Sequence, residues 1–313
     1  MARVVSFLLG PGFWVTALAM MAAGLWLPGD YSRLRPGIPL FLGGILFFTA
    51  LKVEVRPLGG AWRDGGRLRR LGATALVKLV GLPVLAWAVT WVIAREWALG
   101  MLLVMAMPAG LSSVAMSDLY RASVPFALAL TAITSLLCPF TVPLLLQAFD
   151  PSGPRVDLPA LAWQAGYIVL LLATPLLLAH LVRAVAPLLV QRHYSRWGYG
   201  AVLSSCLLIF VSVSANRLAW EHLPQIQLLM PLLLCCGVLA LALASAVLAH
   251  RGMPADEAAA FGFCCLWMNN GLAVAFSDRF YHGNLGVILP AVLMQAPIIV
   301  YVALFGRSTV RRR

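Results

Sequence analysis

The stretch FCCLWMNNGLAVAFSDRF, residues 263–280, decides the fold. It begins as an apolar segment suited to a membrane, yet Asn269, Asn270 and Gly271 lie at its centre. Glycine weakens a helix, and backbone groups freed inside hydrocarbon are costly unless they face protein, an ion or a cavity. The stretch therefore predicts a transmembrane helix that is interrupted near its middle, where the two amides satisfy backbone groups or bind a ligand.

The composition places the whole chain in a membrane. Its 313 residues have a mean hydropathy of +0.91 and are 62% hydrophobic and 11% charged, whereas soluble domains carry about 25% charged residues. Apolar runs long enough to cross a hydrocarbon core of about 30 Å recur from end to end. We therefore predict an all-α polytopic membrane protein with about ten transmembrane helices. The predicted spans are 4–27, 37–53, 72–94, 99–117, 126–149, 159–181, 199–216, 226–249, 258–277 and 285–306.

The charges between the spans set the predicted orientation. With a cytoplasmic N-terminus, 16 of the lysine and arginine residues lie inside and six outside. This positive-inside bias predicts a multi-pass protein of the bacterial inner (plasma) membrane with both termini in the cytoplasm. The net charge of +12 then reflects topology and attraction to the anionic lipids of the bilayer, and no nucleic-acid partner is expected. A monomer and a homodimer both remain open.

Two matching segments indicate an internal repeat. GLSSVAMSDLY (110–120) and GLAVAFSDRFY (271–281) both begin with Gly-Leu, share a Val-Ala-x-Ser-Asp pattern and lie about 160 residues apart. Five spans, an odd number, fall in each of the halves 1–156 and 157–313, so the second half would cross the membrane in the opposite sense. This pattern predicts two inverted five-helix repeats with broken crossing helices 4 and 9, as in many secondary transporters. The alternatives are a chance match and kinks whose amides only join helices.

Two segments resemble the bile acid:sodium symporter family. MPAGLSSVAMSDLYRASVPFALALTAITSLLCPFTVPLL (107–145) resembles the fourth and fifth helices of that family, and NNGLAVAF (269–276) resembles part of its ninth. The resemblance implies a core domain of spans 3–5 and 8–10 and a panel domain of spans 1, 2, 6 and 7. It also implies a substrate bound in the crevice between the two domains.

The sodium ligands of that family are mostly absent from this chain. A sodium ion needs about five or six oxygen ligands, preferably including a carboxylate, by the logic of other hard cations. The resemblance places Cys264 where the family has a glutamate, so sodium coupling is not expected. At the other ligand positions the chain keeps Ser113 and Thr131 and carries Lys78, Val114, Ala127 and Met268.

Lys78 is a basic residue well inside a predicted span, whereas Lys52 lies at the very end of its span and is counted with the cytoplasmic loop. A charged group at the centre of a bilayer costs at least about 2.5–3.5 kcal/mol, so it should face a cavity or a partner. We hypothesise that its ammonium stands where the family binds a cation, holds the crossing together and attracts an anion. The alternative is a lysine that snorkels to the headgroups from about 9 Å inside the membrane. The predicted ion-coupling positions are Lys78, Ser113 and Thr131.

The predicted substrate site consists of polar and aromatic side chains near the place where the interrupted spans 4 and 9 would cross, which we call the crossing. Two of these side chains have alternative structural roles: Gln295 could form an interhelical hydrogen bond, and Trp267 could simply fill space. No cofactor and no metal site are expected, because the cysteines lack the spacing of metal ligands. The predicted substrate-binding residues are Asn269, Asn270, Ser112, Ser113, Gln295 and Trp267.

These features predict a secondary active transporter of a small or amphipathic organic anion that works by alternating access. Protons or the substrate gradient would drive it, since sodium coupling is not expected. The alternatives are a sodium-coupled bile-acid-like symporter, a metalloid efflux carrier and a membrane sensor that binds without transport. Related metalloid carriers use a cysteine in the fourth helix, whereas Cys264 lies in span 9. No spacing of residues indicates a nucleophile with its base, so an enzyme is not expected.

Overall fold

A computed structural model describes residues 13–27, 29, 31–52, 65–150, 158–216 and 225–311. In this part of the chain the regular structure is helical, as predicted, and this is a multi-pass membrane protein. Six helices are long and apolar enough to span a membrane, and two shorter apolar helices cover 15–26 and 37–52. The start of the first predicted span, residues 4–12, lies outside the described residues.

The helices follow the predicted spans closely. They are α1 (Phe13–Trp26), α2 (Gly37–Lys52), α3 (Gly65–Ile93), α4 (Ala98–Ala106), α5 (Ser112–Leu119), α6 (Val124–Phe149), α7 (Leu158–Val185), α8 (Pro187–Arg192), α9 (Tyr194–Ser214), α10 (Gln225–Ala249), α11 (Ala255–Leu266), α12 (Asn270–Phe280), α13 (Leu285–Leu293) and α14 (Gln295–Arg311).

The fourth and ninth predicted spans are each broken into two half-helices, which confirms the interruptions expected from the sequence. Residues 107–111 separate α4 from α5, and residues 267–269 separate α11 from α12. The halves contain 9, 8, 12 and 11 residues, whereas a membrane crossing needs about 20. Pro108 follows α4 in the first break, where it disfavours helical geometry in the residue before it. The inverted relation between the two halves of the chain remains a prediction.

Helix α3 contains one turn of π-helix at Val77–Gly81. Such a turn inserts an extra residue into the helix and changes which side chains face the protein, and it occurs often at functional sites. Here Lys78 and Leu79 are buried while Val77 is exposed. The π-turn thus belongs to the segment that carries the predicted ion-coupling lysine.

The chain groups into two compact units. In the first, α9 packs along α1 and α2. The contact is close because glycines face it: a Cβ on Gly24 would lie 2.9 Å from Val213 Cβ, and one on Gly44 would lie 2.6 Å from Ser204 Oγ. The first unit groups the described residues of Met1–Glu54, Val169–Pro224 and Val274–Gly283.

The second unit contains both breaks. In it α4 packs against α3 and α13, and α11 packs against α10 and α6. The backbone of Gly100 lies directly against the Gly286 carbonyl, with no room for a Cβ between them. The rings of Tyr120 and Phe263 stack with centroids 5.3 Å apart. The second unit groups the described residues of Val55–Ile168, Gln225–Ala273 and Asn284–Arg313.

Candidate functional site

The two breaks meet and satisfy each other's backbone groups. The Gly110 amide donates to the Trp267 carbonyl at 2.8 Å, and the Asn269 amide donates to the Pro108 carbonyl at 2.8 Å. Between these bonds the chains form one antiparallel bridge. A Cβ on Gly110 would lie 3.2 Å from the Trp267 ring, so the close approach favours glycine there. The crossing therefore keeps extended backbone at membrane depth without unpaired amides at these positions.

The Lys78 side chain reaches the end of the first half-helix, α4. Its Nζ donates to the carbonyl oxygens of Met105 and Met107, both at 2.8 Å, and the residue is 0% exposed. Carbonyls at a helix C-terminus carry partial negative charge, which favours a cation there. Because the amine is enclosed by protein, the alternative of a lysine snorkelling to the headgroups does not fit the structure.

The other two predicted ion-coupling residues, Ser113 and Thr131, form a small buried cluster with Cys264 beside the first break. Ser113 Oγ lies 3.4 Å from Thr131 Oγ1 and 3.4 Å from Cys264 Sγ. Cys264 Sγ also lies 3.8 Å from the Ala127 carbonyl oxygen. These groups offer two hydroxyls and a thiol, with no carboxylate, and a soft thiol is a poor ligand for a hard cation such as sodium. The cluster therefore does not fit a sodium ion.

Thr134 supports the same break and was not among the predicted site residues. The Ala109 amide donates to Thr134 Oγ1 at 3.2 Å, and that hydroxyl donates to the Leu130 carbonyl at 2.8 Å. The sequence could have indicated Thr134 through its position three residues after Thr131, because residues i and i+3 share a helix face. That spacing predicts the shared face but not the partner.

The second break carries amides in place of a charge. Asn269 Oδ1 accepts a hydrogen bond from the Leu272 amide at 3.3 Å, in the manner of a helix N-cap. Asn270 Nδ2 donates to the Ala291 carbonyl at 2.5 Å. Asn270 is 3% exposed, and its Oδ1 has no hydrogen-bond partner within the protein. Buried acceptors are normally paired, so this oxygen is suited to a donor from a ligand or a water.

The remaining predicted site residues lie around the crossing. Ser112 begins α5 and is half-buried, and Trp267 ends α11 and is half-buried. Gln295 begins α14, also half-buried, one helical turn after the Ala291 carbonyl that Asn270 binds. The roles of these side chains in binding remain predictions.

A second buried charge, which the sequence analysis missed, lies away from the crossing. Glu257 is 2% exposed and pairs with Arg67 Nε at 2.9 Å and with Arg70 Nε at 2.7 Å. It lies about 15 Å along α11 from the second break, at 1.5 Å per residue. Two cations thus neutralise this carboxylate far from the candidate site. Among the described residues, no group of three or more His, Cys, Asp or Glu side chains is arranged to hold a metal ion.

Comparison with known proteins gives a family match and two relatives. The model of the Sodium Bile acid symporter family matches residues 39–221. The uncharacterized protein PA2026 of Pseudomonas aeruginosa is 29% identical over 246 residues, which are 75% of this chain and 72% of that protein. The uncharacterized sodium-dependent transporter YocS of Bacillus subtilis is 28% identical over 138 residues, which are 44% of this chain and 42% of that protein.

Proposed function

This chain belongs to the Sodium Bile acid symporter family, a family of transporters, and from that premise we propose that it carries a small or amphipathic organic anion without sodium. It works by alternating access, in a bacterial inner membrane with both termini in the cytoplasm. The observation that carries this proposal is the Lys78 ammonium, which binds two carbonyl oxygens at the end of α4.

The ammonium excludes a metal cation by charge. Two unit charges 4 Å apart repel each other by about 4 kcal/mol at the effective dielectric of about 20 that suits protein sites. A sodium ion beside Lys78 would meet this repulsion and would also find the Met105 and Met107 carbonyls already accepting hydrogen bonds. Lys78 therefore acts as a cation that is built into the chain.

The Ser113 cluster supports the same conclusion for a second ion. Desolvating sodium requires compensation by several oxygens and preferably by a negative charge. Ser113, Thr131 and Cys264 supply only two side-chain oxygens and no negative charge, and their side chains contact each other. These three residues thus fill the position of a second ion with neutral groups.

The positive groups at the crossing favour an anionic substrate. The half-helices α5 and α12 both begin at the crossing, and helix N-termini attract negative groups in discontinuous transporter helices. The buried ammonium adds a full positive charge to the same region. The substrate contacts in this proposal are the half-buried side chains at the crossing, the buried Ser113, and the unpaired oxygen of Asn270, which can accept a hydrogen bond from a hydroxyl of the substrate. They comprise Ser112, Ser113, Trp267, Asn269, Asn270 and Gln295.

Sodium-coupled symport is the second candidate. It is favoured by the name of the family and by the name of the Bacillus subtilis relative, a sodium-dependent transporter. Lys78 and Cys264 argue against sodium coupling, because Lys78 adds a positive charge at the crossing and Cys264 supplies no negative charge.

Uptake into liposomes separates the two candidates. The purified full-length chain is reconstituted, and uptake of radiolabelled taurocholate, cholate, benzoate and lactate is measured in sodium chloride and in choline chloride. We expect flux of at least one probe at the same rate in both salts. Flux that rises steeply with sodium would overturn the coupling proposal. Absence of flux for all four probes would overturn transport of this substrate class and favour a binding protein.

A further inference from the structure

A group of charged side chains lies at the end of α12 that is remote from the crossing. This distal cluster consists of Arg35, which precedes α2, and of Asp278 and His282. All three residues belong to the first unit. Resting on the proposed function, we infer that the distal cluster is a proton-binding site that holds this end of α12 at neutral pH and releases it on acidification. Protons then accelerate transport without travelling with the substrate.

One side of the Arg35 guanidinium is held by groups that do not titrate. Its Nη2 donates to the Ala215 carbonyl at 2.7 Å and to Asn216 Oδ1 at 3.2 Å. Both acceptors follow directly after α9, and both residues are buried. A backbone carbonyl and a side-chain amide are neutral at every physiological pH, and a guanidinium keeps its charge. Arg35 therefore stays on the end of α9 at neutral and at acid pH.

The other side of Arg35 faces two groups that do titrate. Its Nη1 lies 2.6 Å from His282 Nδ1, and an imidazole can accept this hydrogen bond only while it is neutral. Among the described residues, Arg35 and His282 are the charged groups that act on the Asp278 carboxyl, whereas the neighbouring Arg33 and Arg279 are exposed. His282 is itself exposed and exchanges protons with water. Because histidines change charge between about pH 5 and 8, this contact is sensitive to pH near neutrality.

Asp278 lacks the fixed partners that the buried Glu257 has. Glu257 pairs with two arginines, at 2.9 and 2.7 Å. In contrast, Asp278 Oδ1 is buried and has no hydrogen-bond partner within the protein, and the same is true of Arg35 Nε. Burial without donors disfavours the charged form of a carboxyl, while a nearby guanidinium favours it. Asp278 is therefore suited to gain and lose a proton, and its charged form attracts the unpaired Nε of Arg35.

Acidification weakens both contacts of Arg35 with the distal end of α12. A protonated Asp278 no longer attracts the guanidinium, and a protonated His282 repels it and cannot accept its hydrogen bond. The bonds to the end of α9 do not change, so the distal end of α12 is released. The other end of α12 begins with Asn270 at the crossing. A half-helix that contacts the substrate has to shift during alternating access, so we expect faster transport at acid pH.

Flux at equal pH on both sides of the membrane tests this inference in the absence of a proton gradient. Proteoliposomes of the full-length chain are prepared without sodium at pH 7.5, 6.5 and 5.5, and valinomycin with equal potassium holds the potential at zero. The probe is whichever of taurocholate, cholate, benzoate and lactate shows sodium-free flux. Taurocholate is preferred because its sulfonate stays charged over this range. Protein-free liposomes report the leak of the probe.

We expect flux to rise about tenfold from pH 7.5 to pH 5.5, the change that loss of one charged hydrogen bond produces in an equilibrium. Equal flux at all three pH values would overturn the inference and leave the proposed carrier intact. Stimulation only when the pH differs across the membrane would also overturn it, because protons would then travel with the anion. Absence of sodium-free flux at every pH would instead overturn the proposed function.

A double variant assigns the pH response to the distal cluster. Asp278→Asn with His282→Gln removes both titrating groups, so we expect one rate at all three pH values. The control is Asp118→Asn with His180→Gln, because both side chains are exposed on other helices, and its pH response should match that of the unmodified chain. The single variants Asp278→Asn and His282→Gln should each show a smaller response, which preserves the test if the double variant does not fold. A full response in the folded double variant would overturn the assignment.

Amide hydrogen exchange tests the distal cluster without any substrate. The Tyr281 amide donates to the Ser277 carbonyl at 2.9 Å, so its exchange reports opening of the distal end of α12. After correction for the intrinsic effect of pH, we expect about tenfold faster exchange at pH 5.5 than at pH 7.5 in the unmodified chain. The double variant should exchange at the same corrected rate at both pH values. Equal corrected rates in the unmodified chain would overturn the inference even when no probe shows flux.

Discussion

The two interruptions share a backbone design but differ in chemistry. In the first, between α4 and α5, an ammonium from α3 closes the end of the half-helix by donating to Met105 and Met107. In the second, between α11 and α12, Asn269 accepts from the Leu272 amide, Asn270 donates to the Ala291 carbonyl, and the amide oxygen of Asn270 has no partner within the protein. One break therefore holds a charge, and the other holds a neutral site with an acceptor to offer.

This difference indicates that stability alone does not explain the charge at the first break. A lysine at the bilayer centre costs at least about 2.5–3.5 kcal/mol, and two hydrogen bonds from a charged donor return about 1.5–3 kcal/mol each. The cost of burying the charge and the gain from the two hydrogen bonds nearly cancel, so an apolar residue at position 78 would give the fold about the same stability. The charge is best explained by a function at the site, which the following substitutions test.

The largest effect on transport is expected for Lys78→Met. Loss of the long-range attraction between the enclosed ammonium and the anion, about 3 kcal/mol for two charges some 5–6 Å apart, corresponds to about a 100-fold lower rate of anion uptake. Unfolding free energy should change by less than about 2 kcal/mol, because the burial cost and the two hydrogen bonds disappear together. Uptake in liposomes and thermal unfolding in detergent measure the two quantities. A strongly destabilised variant with a normal rate per folded molecule would show that the lysine is only structural.

A smaller effect is expected for Asn270→Leu in the second break. The substitution removes the acceptor oxygen and the donor to the Ala291 carbonyl, and loss of a neutral hydrogen bond of about 1.4 kcal/mol corresponds to about a tenfold higher KM. Concentration dependence of uptake measures this change.

The control for Asn270 is Asn216, a buried asparagine of the first unit that donates to the Ser212 carbonyl at 2.9 Å and accepts from Arg35 Nη2 at 3.2 Å. Asn216→Leu should lower stability at least as much as Asn270→Leu and leave KM unchanged. If both variants raise KM equally, the loss at Asn270 reflects general destabilisation and not substrate contact.

The smallest effect is expected for Thr134→Val in the first break. It removes the acceptor of the Ala109 amide at 3.2 Å. Side-chain hydrogen bonds within membranes average about 0.6 kcal/mol, which corresponds to about a threefold change in the folding equilibrium constant. Thr141→Val serves as control, because the Thr141 hydroxyl donates only within its own helix, to Leu137. Comparison of the melting temperatures of the two variants isolates the bond across the break. Equal melting temperatures would show that Ala109 does not need Thr134.

The sequence predicted the positions of both breaks because their residues conflict with their surroundings. Pro108 and Gly110 interrupt one apolar run, and Asn269, Asn270 and Gly271 interrupt another. Such conflicts are visible without coordinates, since helix propensity and the cost of polar groups in lipid are local properties. The partners of Lys78 were not predictable in this way, because backbone carbonyls carry no sequence signature. The pairing of Glu257 with two arginines of α3 was missed for a similar reason: those residues are far apart along the chain.

The sequence by itself determined that this chain is an all-helical membrane protein with two interrupted helices, because hydropathy and residue type act over short distances. It also placed a lysine, Lys78, within a predicted span, but left open whether this side chain is buried or extends to the headgroups. The hydrogen bonds between the two breaks, and those from Lys78 to the end of α4, became visible only in the folded protein. Those outcomes depend on which distant backbone groups meet, and that depends on how the helices pack.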